Sequence, residues 1–193
     1  MEDSTPDHAH IGGSEIQPAD VQNDGRSLNR YYRSLFFHGT SFFLIFSAFL
    51  SLQSLQSSLN EVLGFVALSV LYVSFMLSCL ISPFLNKVFG PKRIIVLSYV
   101  GHCVYIVTNF YPSYYTLVPG SVVLGAASGP LWTSSSYYIT ALATNVAILK
   151  GKEASIYISR FSGVFFLFLF LSAVFGNQVS SVKLATVSFK TAL

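Results

Sequence analysis

The chain has 193 residues, of which 52% are apolar and only 10% charged, with a formal net charge of +3. A soluble domain carries roughly a quarter of its residues as charges, so this composition excludes an ordinary soluble globule. Its basic residues are spread between apolar stretches instead of gathered on one face, so no nucleic-acid partner is expected either.

The charge is unevenly placed. Six of the eight acidic residues (Glu2, Asp3, Asp7, Glu15, Asp20 and Asp24) lie in the first 24 positions, and beyond Asn29 only Glu61 and Glu153 remain. Residues 1–33, with Pro6, Gly12-Gly13 and Pro18 and hardly a large apolar side chain, read as a disordered cytoplasmic tail. That leader turns basic at Arg26, Arg30 and Arg33, just before the first apolar run. No cleavable signal peptide is expected; the first run sits behind a long polar leader and reads as a retained signal anchor.

Five apolar segments follow, over about 35–55, 62–85, 94–110, 115–142 and 156–175. At 1.5 Å per residue, about 20 helical residues cross a hydrocarbon core of roughly 30 Å. The expectation is an all-α membrane protein with about five transmembrane helices over 34–178, in contact with the lipid bilayer. The runs are too long for barrel strands and lack their alternation. The remaining segment, 179–193, is too short and polar for a sixth span and reads as a divergent tail.

Orientation follows from the loops. With the N-terminus inside, the inner segments hold Arg26, Arg30, Arg33, Lys87, Lys92, Arg93, Lys150 and Lys152, while the outer loops at 57–61 and 111–113 hold no Lys or Arg. Such a bias is the positive-inside pattern and predicts a cytoplasmic N-terminus. Lys183 and Lys190, after the fifth span, run against it.

Polar side chains inside spans are where function concentrates, because lipid gives them no partner. Gln53, Gln56 and Asn60 recur at helical spacing near the outer end of the first span. Either they line a cavity or they hydrogen-bond across helices, and the second reading is the simpler. In the fourth span Ser128, Trp132 and Ser135 share a face, so Gln53, Gln56, Ser128 and Trp132 form the candidate polar cavity. Gly125 and Gly129 form a small-xxx-small pair and are the candidate helix-packing residues; Pro130 is expected to kink the same helix. His102, without an intramembrane carboxylate beside it, reads as a packed histidine before a proton relay. Arg160 is expected to snorkel to the inner interface, and Cys79 and Cys103 to behave as small apolar groups. There is no P-loop, metal-spaced cluster or nucleophile elbow. No catalytic residue, cofactor or metal site is expected, and the chain does not read as an enzyme.

The string Leu52-Gln53-Ser54-Leu55-Gln56-Ser57-Ser58-Leu59, with Leu63-Gly64 and Ala67-Leu68-Ser69 after it, resembles the start of the Unc-ninety-three family of the major facilitator superfamily. The likeness continues through Pro83, Gly90-Pro91-Lys92, Asn109-Phe110-Tyr111, Tyr115-Thr116-Leu117-Val118-Pro119, Leu124-Gly125, Pro130-Leu131-Trp132 and Tyr138-Ile139-Thr140. It ends with Gly163-Val164-Phe165-Phe166-Leu167 and Gly176-Asn177. It covers about 34–182 and lies nearest the family's A-type branch. The resemblance implies part of the N-terminal half of a twelve-helix facilitator bundle. It also implies an accessory role in the membrane: one member regulates a two-pore potassium channel complex, another escorts nucleic-acid-sensing Toll-like receptors. The superfamily's loop motif between the second and third spans normally includes an acid. Here residues 82–93 have none, which leaves the usual gating latch without its acidic partner. These features predict a regulatory or trafficking subunit at the plasma membrane with a partner such as a potassium channel, truncated and not transport-competent alone. The alternative is a small-solute transporter that needs a second half.

Overall fold

The computed structural model describes the backbone of residues 18–59 and 61–192, and side chains at 25, 27–56, 58 and 61–186. The leader through residue 17, Asn60, and the side chains of Arg26 and Lys190 lie outside the described residues. The described chain forms five α-helices: α1 (Pro18–Leu59), α2 (Glu61–Phe89), α3 (Pro91–Thr108), α4 (Tyr114–Leu149) and α5 (Ala154–Ala192).

Two boundaries move from where composition put them. Residues 18–33 are not irregular but the first turns of α1. The helix persists there because Leu28 and Tyr31, few as the apolar groups are, pack against the main core. At the other end, the tail from 179 continues α5 without a break. Ser180 is buried and its Oγ donates to the Ser51 carbonyl oxygen at 2.8 Å, which ties this stretch to α1.

Among the described residues three segments are long and apolar enough to cross a membrane: Ser27–Gln56, Glu61–Phe89 and Ala154–Thr186. They leave much of their apolar surface uncovered, including Phe37, Leu44, Phe65, Met76, Leu80, Phe84, Phe170 and Phe175. Water would penalise that exposure, whereas lipid does not. The chain is an integral membrane protein. Helix α4 is interrupted by Gly, Ser, Thr and Pro and is less apolar, but it is the helix the others surround. It packs on α2, α3 and α5, and Ser121, Ser134, Ser135, Gly125 and Gly129 are all buried. Its polar atoms face protein, so its composition need not match lipid.

The short links fix alternating directions. Gly90 ends α2 with φ of 78°, a conformation that L side chains rarely adopt. Pro91 then opens α3 at a position where its missing N–H costs nothing. Before α4 the Ser113 N–H donates to Thr116 Oγ1 at 3.1 Å and caps the helix start. Neighbouring helices in the sequence thus run antiparallel, as α3 and α4 do where Gly101 meets Val123 and Ala127 and Gly120 meets Thr108. The large remaining contacts are between parallel helices: α1 with α5, matched from Tyr32–Phe161 to Phe43–Phe175, and α2 with α4, matched from Leu71–Gly125 to Asn86–Ser134.

Candidate functional site

The two parallel seams are built differently from the rest of the core. On α2/α4, a Cβ placed on Gly125 would run into the Leu71 carbonyl oxygen, with Ser74 Cβ at 2.6 Å and Phe75 N at 3.0 Å. On Gly129 it would meet Ser78 Oγ, with Cys79 N at 2.8 Å. The glycine pair expected at a helix contact is therefore filled, backbone against backbone, by α2. Ser78 Oγ donates to the Gly125 carbonyl oxygen at 3.0 Å, and about two turns further along the seam Ser134 Oγ donates to Asn86 Oδ1. The α1/α5 seam repeats the device. Ser51 Oγ donates to the Gly176 carbonyl oxygen at 2.9 Å, and a Gly176 Cβ would sit 3.0 Å from Leu50 Cβ and from the Ser47 carbonyl oxygen. Small residues bring the backbones close, and hydroxyls then reach carbonyls that lipid cannot satisfy. Gly176→Leu is expected to separate α1 from α5, with a loss of about 1–3 kcal/mol; a thermal melt in detergent reads it. A variant that melts with the parent would refute the close seam.

The four candidate cavity residues go to different places. Gln56 Nε2 donates to Asn109 Oδ1 at 3.1 Å, and Asn109 Nδ2 donates to the Tyr105 carbonyl oxygen at 2.7 Å, which links α1 to the end of α3. Gln53 lies half-buried one turn earlier. Ser128 Oγ donates to its own helix at the Leu124 carbonyl oxygen, 2.7 Å away. The Trp132 ring stacks edgewise on Phe42 and Phe46 at 5.8 and 5.6 Å. Its other side borders a cavity of about 530 Å³ with Thr133, Ser136, Tyr137 and Thr140, and that cavity includes none of the other three.

His102 is buried between Phe46 and Phe49 and its Nδ1 donates to the Ser98 carbonyl oxygen at 2.9 Å, as befits a packed ring. Arg160 is exposed, with its guanidinium 6.0 Å from the Tyr157 ring. Lys150 Nζ lies 5.8 Å over Tyr32 and 5.7 Å over Tyr157, so cations and aromatic rings gather at this end of the bundle. Both cysteines are free and exposed.

The site that sequence reading did not single out is His38. It stacks on Phe165 at 5.6 Å, meets Phe42 and Tyr138 edgewise, and is 7% exposed, yet its Nε2 has no partner. The available signal was its position, as an ionisable side chain inside the first apolar run.

The fold and its seams define a multi-span helical membrane protein held together by close helix contacts. A sequence model described as "Ion channel regulatory protein UNC-93" matches residues 56–191. The chain is 39% identical over 158 residues to human "Protein unc-93 homolog A", covering 80% of this chain and 35% of that protein. The Xenopus laevis protein of the same name is 42% identical over 144 residues, 73% of this chain and 31% of that one. A Caenorhabditis elegans protein, unc-93, whose name proposes potassium channel regulation, is 34% identical over 161 residues, 83% of this chain and 23% of that one. This chain belongs to the UNC-93 family. It spans about a third of the length of the homolog A proteins it matches. The family match reaches residue 191 and so includes most of the stretch from 179.

Proposed function

We propose that this chain acts in the membrane as a regulatory subunit that binds a membrane-protein partner, a potassium channel first among them, through helix contacts inside the bilayer. The match over 56–191 to a family described as ion channel regulatory carries this reading, and the name of the nematode relative supplies the channel type. A free surface supports it. Val73, Met76, Leu77, Leu80 and Phe84 are exposed on α2 at helical spacing and form an apolar stripe on the side away from α4. The glycine pair is occupied internally, so a partner helix would meet this stripe instead. Co-expression with two-pore potassium channels is expected to change their current, and the chain is expected to co-purify with one of them in mild detergent. Met76→Ala, Leu80→Ala and Phe84→Ala together should weaken that recovery without lowering the melting point, since none of the three is buried. If the chain reaches the membrane yet leaves every such channel's current and recovery unchanged, the proposal fails.

The same proposal puts the chain in the plasma membrane with its N-terminus in the cytoplasm, the end that bears Arg30, Arg33, Lys87, Lys92, Arg93, Lys150 and Lys152. The chain has no Asn-x-Ser/Thr acceptor of its own. An acceptor inserted at 111–113 is expected to be glycosylated and one inserted at 150–152 is not; the opposite pattern reverses the topology.

A second reading, transport of a small solute, is favoured by the hydroxyl-rich face of α4 at Thr133, Ser136, Tyr137 and Thr140 beside Trp132. Alternating access works by rocking two repeats about a midplane site, so this reading applies to a chain with a second repeat. Solute uptake by such a chain that is lost in Thr140→Val and kept in Met76→Ala would favour transport over regulation.

A further inference from the structure

At the basic end of the bundle, Ser34, Phe37, His38 and Ser41 of α1, Lys92 and Ile95 of α3, and Tyr138 of α4 line an open pocket of about 280 Å³. Three features of it favour negative charge. The N-terminus of α3 has no side-chain cap; Pro91 has no N–H and that of Ile94 is taken by the Gly90 carbonyl oxygen, which leaves the Lys92 and Arg93 N–H groups and the positive end of the dipole. Lys92 lies in that first turn and lines the pocket, with Arg93 next to it. His38 lines the same pocket and has an unpartnered Nε2 although it is 7% exposed. A buried polar atom left so is destabilising, and a bound group that accepts there would satisfy it.

Among the residues whose side chains are described, the acids are Glu61, at the opposite end of α2, and Glu153, in the turn before α5, where it accepts from Ser155. Neither lines the pocket.

We infer that this pocket binds a phosphate-type anion, held by Lys92, the start of α3 and the inner hydroxyls, with His38 Nε2–H as the buried donor. The volume suits a headgroup and not a whole lipid or a folded peptide. With the cytoplasmic orientation proposed above, on which the lipid source rests, the basic end meets the anionic inner leaflet, which gives two sources of one chemistry: the headgroup of an anionic phospholipid or free inorganic phosphate. The inference is independent of whether the chain regulates a channel.

Native mass spectrometry of the full 193-residue chain in detergent would test it. Phosphatidylserine and phosphatidylcholine at equal concentration are the lipid arms, and inorganic phosphate without lipid is the other. Retention of phosphatidylserine over phosphatidylcholine is expected. Lys92→Ala and His38→Phe, the second preserving the aromatic stack, should each reduce it about ten-fold, the effect of losing one charge-assisted or buried hydrogen bond. Lys152→Ala, a basic residue at the same end outside the pocket, should leave it unchanged. Should inorganic phosphate bind with the same dependence on Lys92 and His38 while phosphatidylserine does not, the site holds and its ligand is the free anion. Equal losses in Lys92→Ala and Lys152→Ala would reduce the effect to bulk charge and overturn the site. So would binding of either probe that is indifferent to Lys92→Ala, an exposed position whose replacement leaves the fold intact.

Discussion

Replacing Gly125 and Gly129 together by leucine is expected to abolish the monodisperse folded chain in detergent. At each position the first added carbon meets backbone of α2 that cannot swing aside: the Leu71 carbonyl oxygen and Phe75 N at one, and Cys79 N, beside the Ser78 hydroxyl, at the other. The two helices must part, and parting them also breaks the hydrogen bond from Ser78 to the Gly125 carbonyl oxygen and the contact of Ser134 with Asn86. Overpacking costs about 1–3 kcal/mol per site and more where backbone must move. The sites are one turn apart in one seam, so their effects will not add: the first leucine already opens much of the gap that the second needs. Gly163→Leu is the matched control, since a Cβ there meets nothing within 4 Å. A fluorescence-detected melt should show the seam double variant collapsing and Gly163→Leu following the parent. If all three melt together, close packing of α2 on α4 is not what holds this bundle.

That seam was legible because a glycine spaced four residues from another has a geometric meaning on any helix. The spans were legible for a similar reason: hydrocarbon demands runs of apolar residues, and among the described residues three helices keep runs long and apolar enough to cross it. What each span buries was not. A helix that is apolar all round carries no stripe to say which side meets protein, and so nothing in Phe42 or Leu131 distinguished them from the exposed Phe37 or Leu80. The parallel pairing of α1 with α5 and of α2 with α4 joins segments far apart in the chain, and no local signal encodes it. Serine misled in its own way. On a helix its hydroxyl can turn back to the carbonyl four residues earlier, as Ser128 does, so a serine on a face does not define a cavity. The start of α1 escaped notice because the leader's composition is that of an unfolded segment; among the described side chains Leu28, Tyr31 and Tyr32 connect it to the core.

Phe42→Ala should produce the largest loss of any single truncation in the interior. Phe42 is fully buried, and its ring lies 4.7 Å from Phe165, 5.1 Å from His38, 5.2 Å from Phe46, 5.8 Å from Trp132 and 6.0 Å from Tyr99. Four helices, α1, α3, α4 and α5, therefore converge on one side chain. In a soluble protein a Phe→Ala change costs about 3–5 kcal/mol, part of it for lost transfer from water and part for the cavity left behind. In a bilayer the first part largely vanishes, because the unfolded segment rests in lipid that is as apolar as the core. The cavity part remains: a void of about 100 Å³ at about 24 cal/mol per Å³ amounts to about 2 kcal/mol. The loss should thus fall below the soluble value yet exceed that of Phe37→Ala, since Phe37 is 62% exposed and already faces lipid. Reversible unfolding in mixed micelles, with both variants measured against the parent, separates the two. A loss at Phe42 as small as that at Phe37 would mean that lipid or detergent fills the void, and that the aromatic cluster is not the point at which the four helices are locked together.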